Sequence, residues 1–360
     1  MARPPVLTII MLAILVAIFV GELEYAPPQA GMTPSLDTLV ALGGLMRNLV
    51  VERHEWFRIF TAALLHAYPM HMLFNGIAFF FSSRALERLL GRLWLLTLFF
   101  LGAIGGSFMS MATNPPNMVA IGASGAIMCL IAAAWITSYR SSPGATRRAL
   151  QIRMARMLIP SLLPIFIAGS NGGGIDYGAH LAGALTGSLI GGAVMLTWPR
   201  DASAPRLMPV ARVVAALSVL VFAAAGYEVY AGQGTYRPAA TLIPDNMLPK
   251  TDADVAAHAD ALLKAYPSDP RSHFYRALAL MDKNTPGAER ELREALAEKD
   301  ALENEFKPEF KIELIAYLAQ TLITEGRAVE ARMEAKPYCH SGPDGAVPED
   351  LKPLNVCPSR

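Results

Sequence analysis

Seven apolar stretches divide the first 230 residues of this chain, and they constrain its fold more than any other feature. A bilayer core about 30 Å thick needs about 20 apolar residues per helix, and the stretches approach that length. They lie near residues 5–22, 67–83, 93–113, 120–139, 155–171, 177–198 and 209–230. The pattern predicts an all-α, polytopic membrane helix bundle. The fifth stretch carries Pro160 and Pro164, so we expect it to be irregular.

The first stretch has two interpretations. Arg3 followed by IIMLAILVAIFV fits a membrane helix and also a cleaved signal peptide. Small residues at a cleavage spacing are not obvious in the following GELEYAPP. The six later spans keep the same orientation under either interpretation.

Basic residues concentrate in alternate loops. They are Arg3 before the first span; Arg84, Arg88 and Arg92 after the second; Arg140, Arg147, Arg148, Arg153 and Arg156 after the fourth; and Arg200, Arg206 and Arg212 after the sixth. The positive-inside rule then predicts a cytoplasmic N-terminus. Seven spans place the C-terminal part outside the cytoplasm, and we expect the protein in a bacterial inner membrane.

Composition excludes several classes of function. The chain is 53% hydrophobic and 17% charged, whereas charged residues make up roughly 25% of an average soluble domain. Its net charge is +1, and no basic stripe with interleaved aromatics suggests nucleic-acid binding. The three cysteines show no CxxC or Cys/His ligand spacing, so we expect neither a metal site nor a cofactor.

Ser124 and a few polar side chains lie at membrane depth, where such groups are costly and therefore functional candidates. The others are His66, His71, Asn75 and His180. Ser124 lies in IGASGAIMCL, whose small residues leave the hydroxyl accessible. A helix-packing serine is the alternative, and Ala126 prevents a complete GxSxG nucleophile elbow.

His180 lies in DYGAHLAGALTGSLIGG, with Gly183 and Gly187 on its own side of the helix. A glycine face lets a partner helix approach closely. If that partner is the fourth helix, His180 can take a proton from Ser124 and return it to a leaving amine. The alternative is a histidine satisfied by a neighbouring carbonyl.

His71 and Asn75 are four residues apart and share one helix face. Both can donate hydrogen bonds to the oxyanion that forms when a carbonyl is attacked. The alternative is a pair of hydrogen bonds that hold the bundle together.

Together these residues make residues 1–200 resemble a rhomboid intramembrane serine protease. The resemblance rests on the order and spacing of EWFRIFTAALLHAYPMHMLFN, LERLLG, GASG and AHLAGALTG. It implies a six-helix core, with Ser124 as nucleophile, His180 as general base, and His71 and Asn75 in the oxyanion hole with the Ser124 backbone N–H. Supporting roles are implied for His66, Gly122, Met128, Gly183, Gly187, Trp56, Arg58 and Glu87.

Two positions depart from the family pattern. Phe57 separates Trp56 from Arg58, which are adjacent in most rhomboids, and Met128 stands where the family often has a tyrosine against the histidine. Asp176 lies one turn before His180, but the resemblance gives it no catalytic role.

The resemblance implies transmembrane protein substrates that enter from the lipid bilayer and unwind. We expect a polar cavity that opens to the extracytoplasmic face and is roofed by the fifth span and the SNGGGID loop. One alternative is a catalytically silent rhomboid relative that binds client proteins. Another is a transporter, although no inverted repeat is apparent.

Residues 236–360 read as a separate soluble helical domain, and residues 201–235 contain the seventh span. Amphipathic segments from about residue 251 resemble a tetratricopeptide-type repeat. Such a domain binds peptides or protein partners, and a simple folded cap is the alternative. The predicted topology places Cys339 and Cys357 in an oxidising compartment, where we expect a disulfide between them.

Overall fold

The computed structural model describes residues 4–26, 32–162, 175–199, 201–202, 205, 207–233, 235–236, 241–342 and 346–358. Within these ranges the chain forms helices and no β-strand, and one isolated antiparallel bridge joins Leu45 to Ala120. The chain divides into two compact units, Met1–Gly234 and Thr235–Arg360. The predicted all-α, polytopic fold is confirmed.

The helices of the first unit are α1 (Val6–Tyr25), α2 (Leu36–Ala41), α3 (Arg47–Glu52), α4 (Arg58–Thr61), α5 (Pro69–Leu89), α6 (Arg92–Thr113), α7 (Ser124–Thr137), α8 (Ala145–Leu162), α9 (Tyr177–Thr197) and α10 (Met208–Ala231). Four of these, α1, α6, α9 and α10, are long and apolar enough to cross a membrane. They identify the chain as an integral membrane protein.

The other three predicted spans correspond to helices with less simple sequences. Helix α7 has 14 residues, and α5 carries polar residues within it. Helix α8 begins at Ala145, ten residues before the predicted fifth span, because the arginine-rich segment after Gly144 is itself helical. Pro160 lies inside α8, whereas residues 163–174, with Pro164 and most of SNGGGID, lie outside the described residues.

Helix α7 lies at the centre of the first unit, Met1–Gly234, which we call the membrane unit. It packs against α5, α6, α8 and α9, and the side chains from Gly125 to Ala134 are all buried. A helix that is surrounded by protein needs no polar face, which explains why α7 is apolar all round. Helix α1 packs on α5, and α10 packs on α6 and α4.

Glu87 joins the end of α5 to the start of α1. Its carboxylate accepts hydrogen bonds from the backbone N–H groups of Leu7 and Thr8 and from the Thr8 hydroxyl at 2.8 Å. Arg92 donates to the same carboxylate. The first N–H groups of a helix have no intrahelical acceptor, and a negative charge there is favoured by the helix dipole. Glu87 therefore stabilises the contact between these two helices.

Arg58 organises the loop between α1 and α5. Its side chain is fully buried and donates to the Glu55 carboxylate at 2.6 Å, to the Val40 carbonyl at 2.6 Å and to the Gly44 carbonyl at 2.9 Å. Its guanidinium also lies 5.1 Å from the centre of the Phe57 ring. Trp56 is 51% exposed, so the arginine of the EWFR element points inward and the tryptophan points outward.

The helices of the second unit are α11 (Asp252–Ala265), α12 (Pro270–Leu280), α13 (Thr285–Ala297), α14 (Lys299–Asn304), α15 (Pro308–Thr324) and α16 (Ala328–Ala335). They contain the amphipathic segments seen in the sequence. The buried faces of α12 to α16 meet in one core around Leu292, Leu314 and Leu318, while Leu262 of α11 packs with Ile243 and Tyr266 in a smaller cluster. A disulfide joins Cys339 to Cys357, whose Cα atoms are 5.5 Å apart. The tetratricopeptide-type repeat stays a prediction.

Candidate active site

Helix α7 begins at Ser124 because the segment before it is held in an extended path. Gly122 has a φ of 121°, a region that residues with a Cβ rarely adopt. Its N–H donates to the Ala62 carbonyl at 2.9 Å, while Ala120 exchanges hydrogen bonds with Leu45. Ser124 is thus the first residue of the helix, and its backbone N–H is one of the four that a helix leaves without an internal acceptor.

The side chains of His71 and Asn75 lie against Gly122, which is two residues before Ser124. A Cβ on Gly122 would lie 2.9 Å from His71 Nε2 and 3.7 Å from Asn75 Nδ2. The Ala67 N–H donates to His71 Nδ1 at 3.4 Å, which leaves the ring proton on Nε2. Within the described ranges, the buried Asn75 Nδ2 has no acceptor. Two N–H donors of α5 therefore lie close to the start of α7.

His180 is brought to the same place by the glycines of α9. A Cβ on Gly183 would lie 2.0 Å from the Gly125 carbonyl oxygen, and one on Gly187 would lie 2.1 Å from that of Cys129. The glycine face of α9 therefore packs directly on the backbone of α7. His180 precedes Gly183 by one turn and is buried, which places its turn beside the first turn of α7.

The His180 imidazole is oriented by a carbonyl of α8. Its Nδ1 lies 3.1 Å from the Ser161 carbonyl oxygen. A carbonyl only accepts, so Nδ1 carries the proton and Nε2 keeps its lone pair. Across the described part of the chain, the Ser124 and His180 side chains form no hydrogen bond to each other. Such contacts are often long before substrate binds and tighten in the complex.

Asp176 fixes the beginning of α9. One carboxylate oxygen accepts from the Ala179 N–H at 2.9 Å, and the other accepts from Asn114 at the end of α6, also at 2.9 Å. The Asp176 carbonyl accepts from the His180 N–H at 3.1 Å. Asp176 is therefore the N-cap of α9 and also links that helix to α6.

The His66 ring packs against the His71 ring. Their ring centroids are 5.1 Å apart in an edge contact, and His66 is completely buried. The His66 backbone N–H donates to both oxygens of the Glu22 carboxylate, at 3.0 and 3.2 Å. Glu22 was missed in the sequence analysis. The available signal was an acid at the end of an apolar helix, where Glu22 and Glu24 both occur; of the two, Glu22 is buried.

Met128 is buried in the core of the membrane unit. The aromatic ring beside His180 belongs instead to Tyr177, whose centroid is 6.3 Å from the imidazole at an interplanar angle of 85°. Tyr177 lies on the same helix as His180. The family pattern places a tyrosine at the position of Met128 on α7, so it does not predict a ring from Tyr177.

A small cavity of about 30 Å³ adjoins Ser124. Small residues form one wall, including Gly106, Gly125 and Ala179, and the polar side chains of Ser107, Ser110 and Asp176 also line it. Within the described ranges, no group of three His, Cys, Asp or Glu side chains is placed to hold a metal ion. The described side chains at this site provide a serine hydroxyl, an imidazole and several N–H donors.

The structure thus defines an α-helical integral membrane protein with a serine, a histidine and N–H donors on facing helices. Residues 53–197 match the Rhomboid domain family. "Rhomboid protease AarA" of Providencia stuartii is 25% identical over 209 residues, which cover 53% of this chain and 73% of that protein. The comparisons support the rhomboid family for this chain.

Two further relatives match with higher identity over less of their length. "Putative rhomboid protease YdcA" of Bacillus subtilis (strain 168) is 42% identical over 83 residues, 23% of this chain and 42% of that protein. "RHOMBOID-like protein 1" of Arabidopsis thaliana is 31% identical over 182 residues, 48% of this chain and 44% of that protein. The chain spans about half the length of such relatives.

Proposed function

We propose that this chain is an intramembrane serine endopeptidase in which Ser124 and His180 form the catalytic dyad. The observation that carries the proposal is the contact of Gly183 with the Gly125 carbonyl, because these glycines lie within one turn of His180 and Ser124 in their own helices. The match of residues 53–197 to the Rhomboid domain, and relatives that are named as rhomboid proteases, support the same activity.

The reaction begins when His180 Nε2 takes the proton of the Ser124 hydroxyl as the oxygen attacks a substrate carbonyl. The Ser161 carbonyl accepts the Nδ1–H bond and so stabilises the imidazolium, a task that falls to a carboxylate in a triad. The imidazolium then gives its proton to the leaving amine. Water, deprotonated by the same Nε2, releases the second product from the acyl-enzyme and restores the serine.

The negative oxygen of the tetrahedral intermediate is stabilised by three donors. They are the Ser124 backbone N–H, His71 Nε2–H and the Asn75 amide. Asn75 supports this assignment because its buried Nδ2 has no other acceptor in the described part of the chain. Loss of one such donor typically costs about 10²–10³ in rate.

The substrate class follows from the site's position in a membrane bundle. A transmembrane helix hides its carbonyls in its own hydrogen bonds, so a substrate must unwind locally. We therefore propose single-span proteins with helix-weakening residues near their outer end. A cytoplasmic N-terminus and an extracytoplasmic C-terminal unit complete the proposal, and the Cys339–Cys357 disulfide fits an oxidising compartment.

The test uses the full-length protein reconstituted in liposomes with such a substrate. Cleavage and labelling by a fluorophosphonate probe are expected in the wild type and absent in Ser124→Ala. Ser83→Ala removes another buried serine, on α5, and should retain both. Equal activity in Ser124→Ala would refute the dyad. Substrate binding without labelling of the wild type would instead identify a catalytically silent client-binding protein.

A further inference from the structure

Four arginines surround an open cavity between α5 and α8. Arg84 and Arg88 come from the last turns of α5, and Arg147 and Arg153 come from the first half of α8. The cavity has a volume of about 680 Å³, within the range of about 300–1,000 Å³ that is typical of small-molecule pockets. No role in the proposed reaction falls to these residues.

The four guanidinium groups lack a carboxylate partner in the part of the chain that the structure describes. Glu87 lies between two of them in sequence, but its carboxylate binds the start of α1 and Arg92 instead. Arginine stays protonated in proteins. The cavity therefore gathers four positive charges that their own fold does not neutralise, which favours an anionic ligand.

Aromatic rings contact three of these four cations. The Arg153 guanidinium lies 4.8 Å from the centre of the Phe81 ring, and that of Arg147 lies 4.3 Å from the Tyr139 ring. Arg84 lies 6.0 Å from the Phe80 ring. Stacking on a ring uses the face of a guanidinium and leaves its N–H groups free for a phosphate, which they can bind in pairs.

The lining of the cavity is amphipathic. Phe81, Ala85, Leu89 and Leu150 supply apolar surface, and Ser141, Ser142 and Thr146 supply hydroxyl groups. Ser141 follows the end of α7, so the cavity lies about 20 Å along the helix axis from Ser124, at the opposite end of α7. The ends of membrane helices lie where lipid headgroups are, and basic pockets there bind anionic headgroups.

We infer that this cavity binds the phosphate headgroup of an anionic membrane lipid. The phosphate is surrounded by Arg84, Arg88, Arg147 and Arg153. The apolar lining favours a lipid over a free phosphate ion because it gives the acyl chains a surface to follow. The inference concerns a site separate from the catalytic dyad and does not depend on proteolytic activity.

The test is a titration of the full-length protein in detergent micelles, with bound lipid counted by native mass spectrometry. Dioleoylphosphatidylglycerol should bind about tenfold or more tightly than dioleoylphosphatidylcholine, and Arg147→Gln/Arg153→Gln should lose that preference with the charge-assisted hydrogen bonds. Arg148→Gln/Arg156→Gln is the matched control. It removes two exposed charges from the same helix outside the cavity and should keep the preference.

Three results would overturn the inference. They are equal affinity for the two lipids in the wild type, equal losses in the two double variants, and displacement of phosphatidylglycerol by millimolar inorganic phosphate. The last would identify a site for the free ion. If thermal melting shows that Arg147→Gln/Arg153→Gln is unfolded, Arg84→Gln on α5 takes its place, with the same loss of preference expected.

Discussion

Gly183 of α9 and Gly125 of α7 touch through their backbones: a Cβ on Gly183 would lie 2.0 Å from the Gly125 carbonyl oxygen. No flexible side chain is available to move aside, because the opposing atom belongs to a buried helix backbone. The distance between the two helices, and with it the distance from His180 to Ser124, depends on the absence of a single methyl group.

Gly183→Ala should therefore separate the helices and abolish most of the activity. A displacement of about 1 Å in a catalytic group can cost about 10²-fold in rate. Gly192→Ala is the matched control. Gly192 lies on the same helix, and no neighbouring atom lies within 4 Å of its ideal Cβ position. Cleavage rates and fluorophosphonate labelling of the two variants are compared. Equal rates would contradict the role assigned to the glycine contact.

Asn75→Ala should lower kcat by about 10²–10³ and leave KM nearly unchanged, because an oxyanion donor acts in the transition state. Phe74→Ala changes the neighbouring, 64% exposed side chain of the same helix and should keep kcat. Steady-state kinetics in liposomes separate the two constants. A rise in KM alone would show that Asn75 binds substrate and does not stabilise the oxyanion.

Arg58→Ala should reduce the free energy of unfolding by about 3–5 kcal/mol, because removal of one partner leaves a buried ion pair uncompensated. Arg92 also pairs with a carboxylate, but its side chain is 61% exposed, so Arg92→Ala should cost less than about 1 kcal/mol. Denaturant unfolding in micelles measures both. Similar losses would mean that burial of Arg58 does not control the stability of the first loop.

The C-terminal unit should lose stability in acid through Glu289. Hydrogen bonds from Arg327 and Arg293 hold the pKa of this carboxyl below its ordinary value of 4.5, despite the opposing effect of partial burial. A carboxyl with a lowered folded-state pKa stabilises the fold above its unfolded pKa, and the contribution disappears as pH falls through the folded value.

Glu289→Gln should accordingly increase hydrogen exchange in α13 and α16 of the intact protein at pH 7. Its difference from the wild type should vanish well below pH 4.5, once rates are corrected for intrinsic exchange. Glu349→Gln alters a carboxylate that is 87% exposed and should match the wild type throughout. A difference that persists unchanged into strong acid would exclude the charge of Glu289 as its cause.

The helices and their glycine face could be predicted because both depend on local spacing. Seven apolar stretches gave the bundle, and Gly183 and Gly187, three and seven residues after His180, indicated a face for close packing. His71 and Asn75 share a helix face for the same reason. The two helix-face inferences used only residues within about two turns of each other.

The exact start of α7 could not be predicted, because it depends on contacts that are distant in sequence. Residues 120–139 read as one apolar run, yet hydrogen bonds from Gly122 to Ala62 and between Ala120 and Leu45 keep the first residues extended. The Ser161 carbonyl that orients His180 is likewise a backbone group, which no side-chain pattern identifies.

Helix α7 has only 14 residues, and this length affects how the helix fits into the bilayer. A helix this short in contact with lipid would make the bilayer thin around it. Helices α5, α6, α8 and α9 instead surround α7 and separate it from lipid. Its length of about 21 Å then falls short of a 30 Å hydrocarbon layer by roughly 9 Å. The cavity beside Ser124 lies at one end of this helix, so the short length of α7 leaves room for a polar pocket inside an apolar bundle.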